Sequence, residues 1–371
     1  MKKFKNLIVF CDYYHRLLCW KDVNIFPRKY KGGEYMKIKL DKQAFNQGLE
    51  RLKLEYKILA PVTTPFKGTY SDTDLTKYEE IENIEDIEFN KKSNFSAKET
   101  ILPINQVLFY FTEKEFKTSD ENEKKLLVFL RACDLNGIKR LDQIYLGNGV
   151  EKDFFYKRLR DKVKFVLIGC RESYRNCFCV SMNSNKAEDY SIGLNIRENE
   201  VYLDIKDEEL NVFNGQSYEF EVDFVKENNI SVEIPENIDA VSLSKHEMWN
   251  EYDARCIACG RCNFVCPTCA CFTMQDIFYK ENENVGERRR VWASCQVDGY
   301  TDMAGGHSFR KKQGERMRFK VMHKIHDFNK RFGYQMCVGC GRCDDACPQY
   351  ISFSECIDKV NDIVSVKEEV K

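Results

Sequence analysis

Two runs of cysteine carry the clearest chemistry in this 371-residue chain. Cys256, Cys259, Cys262 and Cys266 are followed by Pro267, and Cys337, Cys340, Cys343 and Cys347 repeat the spacing before Pro348. The fillers agree too, since Cys-Gly-Arg-Cys opens at both Cys259 and Cys340. Thiolates spaced this way wrap an iron–sulfur cube, and the fourth cysteine of each run ligates the other cube. The expected ligands of the first [4Fe–4S] cluster are therefore Cys256, Cys259, Cys262 and Cys347. The second takes Cys337, Cys340, Cys343 and Cys266. Gly260 and Gly341 permit the tight turn, and proline suits the first helical turn after each fourth cysteine. A pair of zinc sites is the rival reading, but zinc ligands usually come as separated Cys-x2-Cys pairs. Two cubes on one chain point to one-electron transfer.

A third set is suggested by Cys133, Cys170, Cys177 and Cys179. The run from Leu126 to Leu130 and the run from Val163 to Ile168 read as buried strands. Between them, Asp134 is placed to cap a helix carrying Leu135, Ile138, Leu141, Ile144 and Tyr145 inward. Strand, helix, strand at this length predicts a parallel crossover unit, which brings both strand ends to one sheet edge. Cys133 and Cys170 fall just past those ends, and the loop carrying Cys177 and Cys179 can curl toward them. A third [4Fe–4S] cluster and four buried free thiols both remain open.

The rest of the chain must hold these groups in place. Met36 opens an ordered pattern, with a short strand at Lys37–Leu40, Asp41 as N-cap, and Ala44, Phe45, Gly48, Leu49 and Leu52 on one helical face. Tyr56–Val62 and Ile104–Thr112 read as strands, and the segment from Ile192 to about Ile234 reads as antiparallel with a hairpin at Arg197–Glu200. The expected fold class is α+β or α/β: a mixed body over 36–240, then a two-cluster, bacterial-ferredoxin-like domain over 241–371. That domain has a long insertion, because 70 residues separate Cys266 from Cys337. The insertion holds Cys269, Cys271 and Cys295, which lack a fourth nearby partner and suit structural roles or contacts behind the ligands. Between Glu287 and Arg331 the chain has twelve basic and five acidic residues. That charge suits either tuning of anionic cubes or docking of an acidic partner.

Composition excludes several classes. With 58 Lys and Arg against 59 Asp and Glu, the chain is no general nucleic-acid binder. No apolar stretch reaches membrane-spanning length, and 18 cysteines without a secretory signal pattern predict metal or redox work in the cytoplasm. No Gly-x-Gly-x-x-Gly or phosphate-cradling Gly-Lys-Ser/Thr motif occurs, so a dinucleotide or flavin belongs to another polypeptide. His307, His323 and His326 have no ligand spacing. Residues 1–35 have eight basic and three acidic residues and no clean period. They read as a non-native N-terminal extension ahead of a start at Met36, with a targeting presequence as the rival; Cys11 and Cys19 fall within it.

Several further stretches resemble the iron–sulfur electron-transfer subunit of the anaerobic sulfite reductases and, more distantly, the β subunit of cytoplasmic sulfhydrogenases. They are Tyr70–Leu75, Phe129–Asp134, Asn176–Met182, Cys266–Phe272 and Ala304–His307. Ala132 stands where a proline is expected in such relatives. The resemblance implies an iron–sulfur conduit without a catalytic residue of its own. In that setting a flavoprotein subunit takes electrons from NADH and a sirohaem subunit reduces sulfite to sulfide. A relay subunit of a soluble hydrogenase, or a general ferredoxin-like carrier, is the alternative.

Overall fold

A computed structural model describes residues 36–119 and 124–369. The segment 1–35, which is the expected N-terminal extension with Cys11 and Cys19, lies outside the described residues.

The chain begins with β1 (Met36–Asp41), α1 (Lys42–Leu52), β2 (Tyr56–Thr64) and β3 (Leu75–Glu80). Next come β4 (Asn105–Phe111), β5 (Phe116–Thr118), β6 (Lys125–Leu130), α2 (Ala132–Gly147), α3 (Phe154–Arg160) and β7 (Val163–Ile168). The hairpin β8 (Ile192–Arg197) and β9 (Glu200–Ile205) and the short β10 (Gln216–Ser217) follow. The remaining elements are α4 (Ala240–Ser244), α5 (Asn250–Arg255), α6 (Arg261–Phe264), β11 (Phe272–Tyr279) and β12 (Asn282–Trp292). The chain closes with α7 (Gln313–Met322), α8 (Phe328–Phe332), α9 (Arg342–Asp345) and α10 (Phe353–Glu369).

An eight-stranded mixed sheet forms the body, in the order β10-β1-β9-β8-β7-β6-β2-β3. Its centre is parallel: β2 pairs with β6, β6 with β7 and β7 with β8. Alternate side chains of one strand serve opposite faces. Leu127 and Phe129 pack under α1 with Phe45 and Leu49, whereas Val128 and Leu130 pack under α2 with Leu135, Ile138 and Leu141. Both faces are thus covered, which is why these strands read as continuous apolar runs. Asp41 caps α1 by accepting from the Ala44 amide at 2.7 Å.

Two local expectations change. Asp134 does not cap α2: the helix begins at Ala132, and the buried Asp134 carboxylate takes a salt bridge from Arg342 instead. The antiparallel pattern expected as far as Ile234 stops at Ile205 apart from β10, because the following chain runs over the sheet and covers it with single side chains such as Phe213 and Val222. A second sheet, β11-β12-β4-β5, joins the insertion to the body through β12 and β4. The third core packs Phe178 and Met182 of the body against Trp249, Tyr252, Met317, Val321, Ile357 and Val360. Cys356 belongs to this core, fully buried, with its sulfur 2.7 Å from the Tyr252 hydroxyl.

Candidate functional site

The first cysteine run leaves α5 at Cys256 and turns through two left-handed residues, Ala258 (φ 56°) and Gly260 (φ 74°). The second run has the same turns at Gly339 (φ 60°) and Gly341 (φ 68°). In each, the glycine precedes a one-turn helix, α6 or α9, that carries the third cysteine.

Cys256, Cys259, Cys262 and Cys347 line one cavity, together with Lys320, Cys343, Met317 and Phe353. The Cys256 thiol, which burial pushes up, also feels the thiolates of Cys262, Cys259 and Cys347. In the second grouping, burial raises Cys337 to about 12 and Cys340 to about 11, and each feels Cys266. Cys343 is likewise raised by burial and feels Cys340 and Cys266. The fourth cysteine of each run therefore lies beside the opposite run. Among the described residues no three His, Cys, Asp or Glu side chains stand close enough to share a single metal ion.

The body closes over the second run. Arg342, 1 % exposed, donates to both oxygens of Asp134 at 2.9 and 2.7 Å and to the Ser93 carbonyl and hydroxyl at 2.9 and 2.8 Å. The Phe178 amide donates to the Gly339 carbonyl at 2.7 Å, and the Ser184 hydroxyl to the Val338 carbonyl at 2.6 Å. Lys92 donates to the Cys340 carbonyl at 3.0 Å while paired with Asp345 at 2.5 Å. On the other side, α2 packs so closely that a Cβ on Gly137 would stand 2.7 Å from Pro267.

The same contacts place the third cysteine set. Cys133 leaves the end of β6 and Cys170 the end of β7, adjacent strands with Leu130 opposite Leu167. Cys179 feels Cys177 and Cys170, and Cys133 feels both Cys340 and Cys179. The Cys177 sulfur lies 3.5 Å from the Cys340 carbonyl and 3.8 Å from the Lys92 ammonium. The four thiols thus lie past the C-terminal ends of the central parallel strands, beside the second run.

The remaining cysteines do not stand apart from these groups. Cys269 is hydrogen-bonded to Cys266, and Cys271 to Cys295. The Cys295 sulfur accepts from the Asn263 amide group at 3.0 Å. The histidines pack: His323 stacks on Phe319 and His307 meets Phe309 edge-on.

Sequence reasoning saw the basic excess of the insertion but not which cations are buried against the thiols. Lys98, Lys320 and Lys324 are 2 to 4 % exposed, and none forms an ion pair with a carboxylate among the described residues. Burying a lone ammonium costs several kcal/mol, about the penalty of any unpaired buried ion, so something anionic must face it. Sulfur does. Burial opposes the charged form of Lys320, but the thiolates of Cys262, Cys343 and Cys269 outweigh it and raise its pKa. Lys324 is raised against burial by Cys266, Cys269 and Cys337. Lys98, which burial lowers overall, sits over the Trp292 ring at 4.1 Å and donates to the carbonyls of Asn263 and Cys269, both at 3.1 Å. Converging soft thiolates ringed by unpaired cations fit an anionic iron–sulfur cluster. The available signal was the i,i+4 pair Lys320 and Lys324 within the apolar run Met317, Val321, Met322 and Ile325.

Comparison with known proteins agrees with the chemistry. Residues 255–351 match the family model of the 4Fe-4S dicluster domain, a span that includes both cysteine runs. Over 347 residues the chain is 28 % identical to sulfhydrogenase 2 subunit beta of Pyrococcus furiosus, covering 88 % of this chain and 98 % of that relative. No solved structure matches the chain. No described helix is long and apolar enough to cross a membrane. The chain is thus similar to the β subunit of a sulfhydrogenase over most of its length, with a match to an iron–sulfur dicluster domain in its C-terminal third.

Proposed function

We propose that this chain is the iron–sulfur electron-transfer subunit of a hydrogenase-type oxidoreductase complex. The observation that carries the reading is end-to-end similarity to a sulfhydrogenase β subunit, with the converging thiols in the part that matches the dicluster domain. Of the two complexes that the sequence leaves open, this similarity favours the hydrogenase type over anaerobic sulfite reduction. The partners in this reading are a catalytic subunit that reacts with hydrogen and a flavoprotein subunit.

Clusters bound at these thiols would supply one-electron carriers. Cys256, Cys259, Cys262 and Cys347 hold the first, and Cys337, Cys340, Cys343 and Cys266 the second. Cys133, Cys170, Cys177 and Cys179 would hold a third past the ends of β6 and β7; its support is that Cys170 and Cys179 feel Cys177 and that Cys133 feels Cys179. The chain's own part is to bury the thiols away from water and to hold the second and third sites together through Arg342 and Lys92. With Cys259 exposed and Cys340 buried, the first site faces a partner and the second stays internal.

Strictly anaerobic isolation of the tagged full chain from its own cell tests this reading. Co-isolation of a flavoprotein and a nickel–iron hydrogenase subunit, with hydrogen-dependent reduction of the complex, is expected. Co-isolation of a sirohaem protein and loss of sulfite reduction on deletion would instead establish the sulfite-reducing complex. Isolation of the chain alone, fully loaded, would indicate a free carrier.

A further inference from the structure

Lys320 and Lys324 lie one helical turn apart where α7 passes into a π-helical turn, His323–Asp327. Such turns are rare and concentrate at functional sites. This helix belongs to the 70-residue insertion, not to either cysteine run. It brings two cations to two different places. The Lys324 ammonium donates to the Cys266 sulfur at 3.3 Å and is also bonded to the Thr268 hydroxyl. Lys320 instead lines the cavity of Cys256, Cys259, Cys262 and Cys347, with Cys343 of the other run on the same wall. Asp344 shares that cavity, but one carboxylate oxygen accepts from the Phe353 amide at 3.0 Å and the other from the Ser352 hydroxyl, also at 3.0 Å. Lys98 is the other buried cation near Cys266, and Lys92 and Arg342 lie beside Cys340, so the second site keeps positive neighbours if Lys324 is lost.

A fixed positive charge favours the cluster state that carries one more electron and so raises its reduction potential. The effect falls with separation. We propose that Lys320 is a shared tuning residue that raises the midpoints of both ferredoxin-type clusters, while Lys324 raises that of the second alone. One helix face then sets both the level and the spacing of the two potentials. This inference rests on the cluster assignment made above and names the residues that regulate it.

The test is an anaerobic redox titration followed by electron paramagnetic resonance, on the iron-loaded full chain and its K320Q, K324Q, K320R and K324R variants. For K324Q, one midpoint is expected to fall by a tenfold change in its reduction equilibrium, about 59 mV for a one-electron couple, with the other held within twofold. For K320Q, both are expected to fall. The arginine variants are expected to keep wild-type midpoints, because they keep the charge. If a glutamine variant loses iron, a fully loaded arginine counterpart with wild-type midpoints still supports the charge role. Loss of iron from both overturns it in favour of packing. Full iron with unmoved midpoints in both glutamine variants overturns this inference alone. A wild-type chain that takes up no iron overturns the cluster assignment, and this inference with it.

Discussion

The two cysteine runs have the same spacing, the same Cys-Gly-Arg-Cys filler and the same pair of left-handed turns, yet their surroundings are opposite. Cys259 and Arg261 of the first run are exposed, and Ile257 is 57 % exposed. Cys340 and Arg342 of the second are buried beneath the body. The left-handed position before the second cysteine is Ala258 in one run and Gly339 in the other. The difference is physical, because a Cβ on Gly339 would stand 2.4 Å from the Phe178 carbonyl oxygen. A repeated motif therefore serves two ends: one run faces outward, and the other is the joint between the cysteine-rich domain and the sheet.

Arginine separates the two most strongly. Replacing Arg342 with Leu leaves Asp134 charged and unpaired in the interior, an expected loss of about 3–5 kcal/mol. Replacing Arg261 with Leu is expected to change stability by no more than about 0.5 kcal/mol. Chemical denaturation of both variants checks this, and similar losses would break the comparison. Next in size, Gly339→Ala adds a clash and a strained backbone, with strain alone costing about 1–3 kcal/mol. It should also lower iron loading at the second site. Ala258→Gly is expected to cost less than about 1 kcal/mol, since the strain relieved offsets the entropy added. A Gly339→Ala protein with full iron and unchanged stability would show that Phe178 does not clamp this turn.

A kinetic contrast follows from the same burial. Iron should leave in two phases when the protein is treated with a chelator and a mild oxidant, the first from the site of Cys259. The Arg342→Leu variant should merge the phases by opening the second site. A single phase in the parent protein would contradict the difference in exposure. Smallest of all, Cys356→Ser keeps the contact to Tyr252 in a weaker form and is expected to cost about 1 kcal/mol, the net worth of a typical hydrogen bond. Iron content should not change.

Much of this site was legible because its ligands are local in sequence. The spacing of Cys256 to Cys266 and of Cys337 to Cys347 names the chemistry without a structure, and the runs Leu126–Leu130 and Val163–Ile168 give the strands that carry Cys133 and Cys170. What stayed hidden depends on long-range contact. Asp134 looked like a cap because its partner Arg342 is 208 residues away. Strands β11 and β12 were missed because Asp276 breaks the alternation of Phe272, Met274 and Phe278, and because β12 pairs with β4, a segment far away in the chain. The basic content of the insertion was visible, but only the fold separates the buried Lys320 and Lys324 from exposed Lys311 and Lys312.

We propose that the thiols of Cys133, Cys170, Cys177 and Cys179 extend the pair of ferredoxin-type sites by a third. This claim is tested most directly by iron and acid-labile sulfide counts on the anaerobically reconstituted full chain, beside a Cys133→Ser, Cys177→Ser double variant. The expected result is about twelve irons in the parent and about eight in the variant, four for each cubane. About eight irons in both would contradict it.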